Sequence, residues 1–359
     1  MAMDKPAGSN YYRNLDSLRF IAAFCVILCH WFPSKARFYN FGKLGVDVFF
    51  VISGFLITEI LLRYKQKARD TAGGIVPALK KFYIRRTIRV FPVYYLFLLI
   101  CFFIKEPDLG HRWIYLFTYT TNFYMFQAKD WIYPMDHLWS LAVEEQFYLL
   151  WPFIILFMRK KYLPHVIIGS IILGILFIIF NIKSSEFFFV LPLSCISTLA
   201  FGALLALVKQ NNGRFYSLLV ANAGKLTLFF LLLMSLCLYL PYTPYIFRHL
   251  SIACFAFSWI CLSINTGNRS YNGIFSNKVT SYLGKISYGI YLFHHHIPWL
   301  IRNLNGTEIR HSIGLIRILP SFGNGYLIFA EQFFVLIVIC SLSWFLFEKP
   351  VNGLKERFA

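Results

Sequence analysis

Apolar runs of membrane-span length recur from one end of this 359-residue chain to the other, and 58% of its residues are hydrophobic while only 14% are charged. A soluble domain does not carry that balance. The sequence predicts an all-α, polytopic membrane protein with about ten transmembrane helices, over residues 17–32, 46–62, 90–104, 138–158, 164–182, 187–208, 225–241, 246–264, 285–301 and 326–346. Pro, Gly and basic residues mark most of the turns. No small-residue cleavage pattern precedes the first run, so it is expected to remain as a span. The nine Lys and Arg between Arg63 and Arg89 fix that loop as cytoplasmic and, with the other basic turns, put both termini on the cytoplasmic side.

The segment 105–137, with WIYLFTYTTNFYMF at its centre, is too short and too polar for a span. It reads as a partly embedded or re-entrant element that protein must bury. Its Trp113, Tyr119, Tyr124 and Trp131 could stack on sugar rings, although interfacial belts use the same residues. Residues 1–359 read as one integral-membrane domain with no fused soluble domain. The net charge of +19 raises nucleic acid as a partner, but the basic residues lie in loops between apolar runs, where topology explains them. All eight Cys fall in apolar runs without metal-ligand spacing, so neither a disulfide framework nor a metal site is expected.

Ionisable residues inside such runs are costly and mark function. The stretch from Tyr12 to Ile57 holds Asp16, Arg19, His30 and Asp47. Eleven helical positions advance roughly 16 Å and about three turns, so Arg19 and His30 share a face. His30 reads either as a hydrogen-bonded interface residue or as a general base, and a base works best with a carboxylate holding its tautomer. Glu144 and Glu145 offer one. They point about 100° apart, so at most one faces a given partner. Asp47 competes as that partner, its bland reading being a carboxylate in the first turn of a helix. His137 and Ser140 share the face of Glu144.

Arg86 with Arg89, or Arg85 with Arg89, would form a two-pronged clamp for phosphates, unless the run is only a positive-inside anchor. Ser53 and Gly54 are a small-residue packing site, or else remove bulk beside a ligand chain. Successive helical positions splay apart, so of His294, His295 and His296 at most one, His294, is expected to face the interior.

RNLDSLRFIAAFCVILCHW, GKLGVDVFFVISGFLIT, FYIRRTIRVFPVYY, HLWSLAVEEQFYLLWP and SYGIYLFH together resemble membrane-bound acyltransferase family 3, in the family's order and over nearly the whole chain. The resemblance implies transfer of acyl groups, usually acetyl, from a cytoplasmic donor to hydroxyls of extracytoplasmic carbohydrate or glycolipid, in a bacterial inner (cytoplasmic) membrane. It carries the family's pattern of Arg, ten residues and His onto Arg19 and His30. Its arginine pair falls on Arg86 and Arg89, and the Glu of its SLxVE motif on Glu144, with Glu145 where the family accepts other residues. Some members carry a fused esterase-like domain. This chain ends shortly after FEKP, so a second transfer step is expected to need a separate envelope protein.

The expectation is therefore an O-acyltransferase with acetyl-CoA (acyl-CoA) as donor substrate and no bound cofactor. His30 is its general base, with Glu144 or Asp47 as partner. Arg19, Arg86, Arg89 and Arg85 meet the donor phosphates, and Ser53 and Gly54 flank the pantetheine arm. His137, Ser140, Glu145 and His294 line or support the acceptor side. The competing reading is a transporter or flippase of a lipid-linked saccharide using the same buried charges as a path. It predicts no transfer from labelled acetyl-CoA.

Overall fold

The computed structural model describes residues 12–32, 36–70, 74–103, 109–183, 186–240, 242–265, 277–306 and 325–356. Among the described residues all regular structure is helical. The helices are α1 (Arg13–Trp31), α2 (Ala36–Asp70), α3 (Ile75–Phe103), α4 (Trp113–Phe117), α5 (Thr121–Ala128), α6 (Leu138–Phe157), α7 (Leu163–Asn181) and α8 (Pro192–Asn211). They continue with α9 (Arg214–Tyr239), α10 (Tyr245–Ile264), α11 (Lys278–Lys285), α12 (Ser287–Phe293), α13 (His296–Gly306), α14 (Gly325–Ser343) and α15 (Lys349–Gly353), a π-helical turn Trp344–Glu348 joining the last two. Among the described residues nine helical segments are long and apolar enough to cross a membrane. Ile172, Phe180, Phe229 and Leu232 on the outward faces of α7 and α9 are exposed, as a lipid-facing surface requires.

Nine of the ten expected spans fall on helices long and apolar enough to cross a membrane, several with moved ends. The tenth, 285–301, is broken into α11, α12 and α13 at Ile286 and at His294–His295. Pro298 accounts for the second break, because its ring would clash with the carbonyl four residues earlier, that of His294, in a continuous helix. α2 runs well past both ends of the expected 46–62, and α3 begins at Ile75, so the basic run ahead of residue 90 is helical.

α2 packs against α1, α6, α8 and α10. A Cβ on Gly54 would lie 1.8 Å from the Leu199 carbonyl oxygen, and one on Gly202 would lie 2.0 Å from that of Val51, so the α2 and α8 backbones touch through reciprocal glycines. Gly54 is therefore a packing site. The expected space for a ligand chain beside it is filled by α8. Helix ends are closed by long polar side chains: Lys65 donates to the carbonyls of Ile155 (2.7 Å) and Met158 at the end of α6, and Asn14 to that of Ser263 (3.0 Å) at the end of α10. Each satisfies carbonyls that the helix itself leaves unpaired.

The segment ahead of α6 is fastened from both sides. Tyr94 and Tyr95 of α3 donate to the carbonyls of Leu116 (2.9 Å) and Phe117 (3.0 Å). Gln146 donates to the carbonyl of Tyr119 (2.9 Å) and to Asn122 (3.0 Å). Gln146 stands eight residues into α6, roughly 12 Å along it. Irregular backbone at that depth is thus satisfied by protein, the condition for tolerating it inside a bilayer. Trp113 and Tyr119 are buried, Tyr119 stacking on Tyr94 with ring centroids 4.3 Å apart, whereas Trp131 is exposed.

Candidate active site

His30 lies in the last turn of α1, and the break between α12 and α13 delivers His294 and His295 to it. His30 Nδ1 is 2.8 Å from His294 Nε2, and His294 Nδ1 is 2.7 Å from the Tyr291 carbonyl oxygen. A carbonyl only accepts, so the network assigns the His294 proton to Nδ1 and a lone pair to its Nε2. His30 must then donate from Nδ1, which leaves its own Nε2 unprotonated and free. The Trp31 indole N–H donates to the His294 carbonyl (3.0 Å) and fixes the turn.

The other imidazoles complete the cluster. The His295 ring is 4.5 Å from that of His30, and its Nε2 is 3.4 Å from Asp136 Oδ1. His137 sits 4.8 Å from His294 between ring centroids and donates from Nε2 to the Leu292 carbonyl (3.2 Å). Below it the Tyr291 hydroxyl donates to the His137 carbonyl (2.9 Å) and lies 2.5 Å from Ser140 Oγ, locking α12 to α6 in register. His296 is buried as well. More than one of the three consecutive histidines therefore faces inward, because the chain leaves the helix where they occur.

Two turns further along α6 the chemistry changes sign. The Arg86 guanidinium stacks on the Tyr148 ring 3.7 Å from its centroid, with Nη2 3.5 Å from Glu145 Oε1. Arg89, three residues on and solvent-accessible, has Arg19, Arg86 and Asp16 as electrostatic neighbours, and Arg19 Nη1 pairs with Asp16 Oδ1 at 3.2 Å. Arg85 turns aside toward the Tyr64 hydroxyl (3.4 Å). The C-terminal turn Leu354–Glu356 adds Lys355, whose ammonium is pushed down to about 7 by burial and then by Arg89, Arg86 and Arg85. The result is a cation cluster, in which the buried Nε atoms of Arg85 and Arg86 have no hydrogen-bond partner among the described residues. Such a cluster suits a phosphate-bearing ligand.

The family model for the acyltransferase domain of acyltransferase family 3 matches residues 12–348, a range that takes in the histidine cluster and every member of the cation cluster except Lys355. The chain belongs to acyltransferase family 3. This chain is similar to a Staphylococcus aureus (strain COL) protein carrying an inferred O-acetyltransferase name, 32% identical over 317 residues that cover 79% of this chain and 50% of that protein. It is also similar to the peptidoglycan O-acetyltransferase OatA of Listeria monocytogenes, 30% identical over 380 residues that cover 97% of this chain and 57% of OatA. The chain thus spans about half the length of these relatives. No solved structure matches it.

The carboxylates expected beside His30 lie elsewhere. Glu144 Oε1 accepts from Ser53 Oγ at 2.6 Å, also bonds Tyr148, and has Arg86 and Arg19 as charged neighbours. It stands seven helical positions, roughly 10 Å, from His137, and His137 is level with His30. Glu144 therefore belongs with Ser53 at the cation end. Asp47 pairs with Lys43, and its Oδ2 lies 3.2 Å from His249 Nδ1. The carboxylate near His30 is Asp136, directly before His137 in the chain.

His249 Nε2 is 2.8 Å from Ser197 Oγ, so Ser197, His249 and Asp47 have the connectivity of a Ser–His–Asp triad. Their exposures are 0%, 1% and 0%, and Lys43 holds the other Asp47 oxygen. No donor reaches Ser197, and the group is a buried charge network joining α2, α8 and α10.

Proposed function

We propose that the protein is a membrane O-acyltransferase that moves an acetyl group from acetyl-CoA to a hydroxyl of an extracytoplasmic carbohydrate or glycolipid, as the name of the Listeria relative suggests for its own peptidoglycan acceptor. The donor enters from the cytoplasmic side with its phosphates on Arg86, Arg89 and Arg19, Arg85 and Lys355 adding positive charge. Glu144 and Glu145 hold Arg86 in place. The pantetheine arm follows α1, α3, α6 and α12 toward His30, a rise of roughly 16 Å from the level of Arg19.

His30 Nε2 takes the proton of the acceptor hydroxyl as that oxygen attacks the thioester carbonyl. Asp136 stabilises the imidazolium, and His294 keeps the Nδ1 proton from the working nitrogen. Collapse of the tetrahedral intermediate expels the CoA thiolate, which takes the proton back from His30. The products are the acetyl ester and free CoA. The observation that carries this reading is the directed chain from His30 through His294 to the Tyr291 carbonyl, which supports a neutral His30 with a free Nε2. The test is transfer of labelled acetyl from acetyl-CoA to envelope carbohydrate by His30→Ala protein that folds and locates normally. Loss is expected, and retained transfer would refute the base.

A further inference from the structure

Asp136 and His295 have no part in the donor end: the turn at His294–His295 brings His295 to His30, and the link ahead of α6 brings Asp136. Asp136 Oδ1 is 3.4 Å from His295 Nε2, and one donor atom from each of His30, Asp136 and His295 lies within 4.8 Å of the others. Two donors at about 2.1 Å on a tetrahedral ion stand about 3.4 Å apart. One edge of a coordination tetrahedron is thus already in place, with a His30 ring nitrogen within 4.8 Å of both its ends.

We propose that His30, Asp136 and His295 form a binding site for a divalent transition-metal ion, Zn²⁺, and that the bound ion switches the acyltransferase off by occupying His30 Nε2. Two imidazoles and one carboxylate are a zinc-type donor set, whereas Mg²⁺ and Ca²⁺ would want more oxygens than the single carboxylate offers. His30 Nδ1 is committed to His294, which is in turn fixed by the Tyr291 carbonyl. That is the hydrogen-bonded support that aims the second nitrogen of a metal-binding imidazole. The Asp136 side chain is 17% exposed although its Oδ1 is buried, so the site lies just beneath the surface. Among the described residues Asp136 Oδ1 accepts no hydrogen bond, and its one close polar neighbour is His295 Nε2, so an ion between the two replaces only that contact. A nitrogen that holds a metal ion cannot take a proton, so occupancy and catalysis exclude one another. Binding strengthens as pH rises, because protons compete for the same ligands.

Ion binding stands by itself, while the switch rests on His30 as base. The experiment therefore has two arms on the purified full-length chain in detergent. In the first, Co²⁺ is titrated as a spectroscopic probe and displaced with Zn²⁺. A single visible-band site is expected in the wild type, weakened about 10-fold or more in His295→Gln and Asp136→Asn, whose near-isosteric side chains keep the fold testable by thermal unfolding. Equal affinity in all three proteins, or no site in the wild type, overturns the proposal. In the second arm, the Zn²⁺ concentration that halves acetyl transfer is measured relative to each protein's own metal-free rate. Inhibition reversed by EDTA, and shifted about 10-fold or more in His295→Gln, is expected. Undiminished transfer at full occupancy overturns the switch, and the metal-free His30→Ala assay then reports separately whether His30 is the base.

Discussion

His30 Nδ1 donates to His294 Nε2 across 2.8 Å, joining the last turn of α1 to the point where α12 breaks. That bond decides which nitrogen of His30 is basic, and it makes His294 a positioning residue. His294→Ala is expected to lower kcat for acetyl transfer roughly 10- to 100-fold, part of the general-base contribution, with acetyl-CoA affinity unchanged. His294→Gln, whose amide oxygen can accept the same proton, recovers part of the loss. Steady-state kinetics with both substrates varied read the difference, and an unchanged kcat in His294→Ala would remove the tautomer argument.

Arg86 meets Glu145 and the Tyr148 ring with a planar fork. Lysine cannot reproduce that geometry. Arg86→Lys is therefore expected to weaken acetyl-CoA binding about 10-fold, or about 1.4 kcal/mol, as is Arg89→Ala, while His30 chemistry on bound donor continues. Calorimetric titration with acetyl-CoA measures it, and wild-type affinity in both variants would take the donor phosphates away from this cluster.

The positions of Arg19, His30, Arg86 and Arg89 are legible in the sequence because each lies inside one continuous helix, where spacing translates directly into depth and face. Partnerships between helices are not. The sequence points to α6 and α2 for the carboxylate beside His30, because Glu144 and Asp47 are acids within apolar runs. Asp136 instead stands in the polar link just ahead of α6, where an acid looks unremarkable. An unbroken helix would turn His295 away from His30, and Pro298 nearby is the one local sign of the break. Lys355 reached the cation cluster through tertiary packing of the C-terminal turn, which no local pattern encodes.

Lys355 also gives the protein a pH dependence. Its ammonium is pushed down to about 7 by burial and the neighbouring arginines, below the ordinary lysine value near about 10.4. Between those limits the folded chain binds fewer protons than the unfolded one, so this group makes stability rise with pH across the window. An anionic donor favours the charged form and draws a proton in on binding. Donor affinity is therefore expected to fall as pH rises from about 7 toward about 9, and Lys355→Arg, which stays charged, flattens that profile. A slope unchanged in Lys355→Arg would show that another group titrates.

Asp47, His249 and Ser197 imitate a triad but are closed to solvent, so their effect is on stability. Asp47→Ala leaves Lys43 and His249 without their carboxylate and is expected to cost about 3–5 kcal/mol, the penalty for breaking a buried pair. Ser197→Ala removes one hydrogen bond, about 1 kcal/mol, and is expected to transfer acetyl at close to the wild-type rate. Thermal unfolding in detergent and the transfer assay read the two effects, and an inactive but folded Ser197→Ala would point to an acyl-serine intermediate.

Gly54 faces the α8 backbone with no room for a methyl group. Gly54→Ala is expected to destabilise by about 1–3 kcal/mol through overpacking, with acetyl-CoA affinity unchanged in the folded fraction. A variant of normal stability and weakened donor affinity would return Gly54 to the donor path.

The measurement closest to the central claim is transfer of labelled acetyl from acetyl-CoA to a carbohydrate acceptor by purified His30→Gln protein, alongside its acetyl-CoA affinity. With His30 Nε2 as the base, transfer falls about 10²- to 10⁴-fold while donor affinity stays within a factor of about two of the wild type. Transfer at the wild-type rate by folded His30→Gln protein would contradict it.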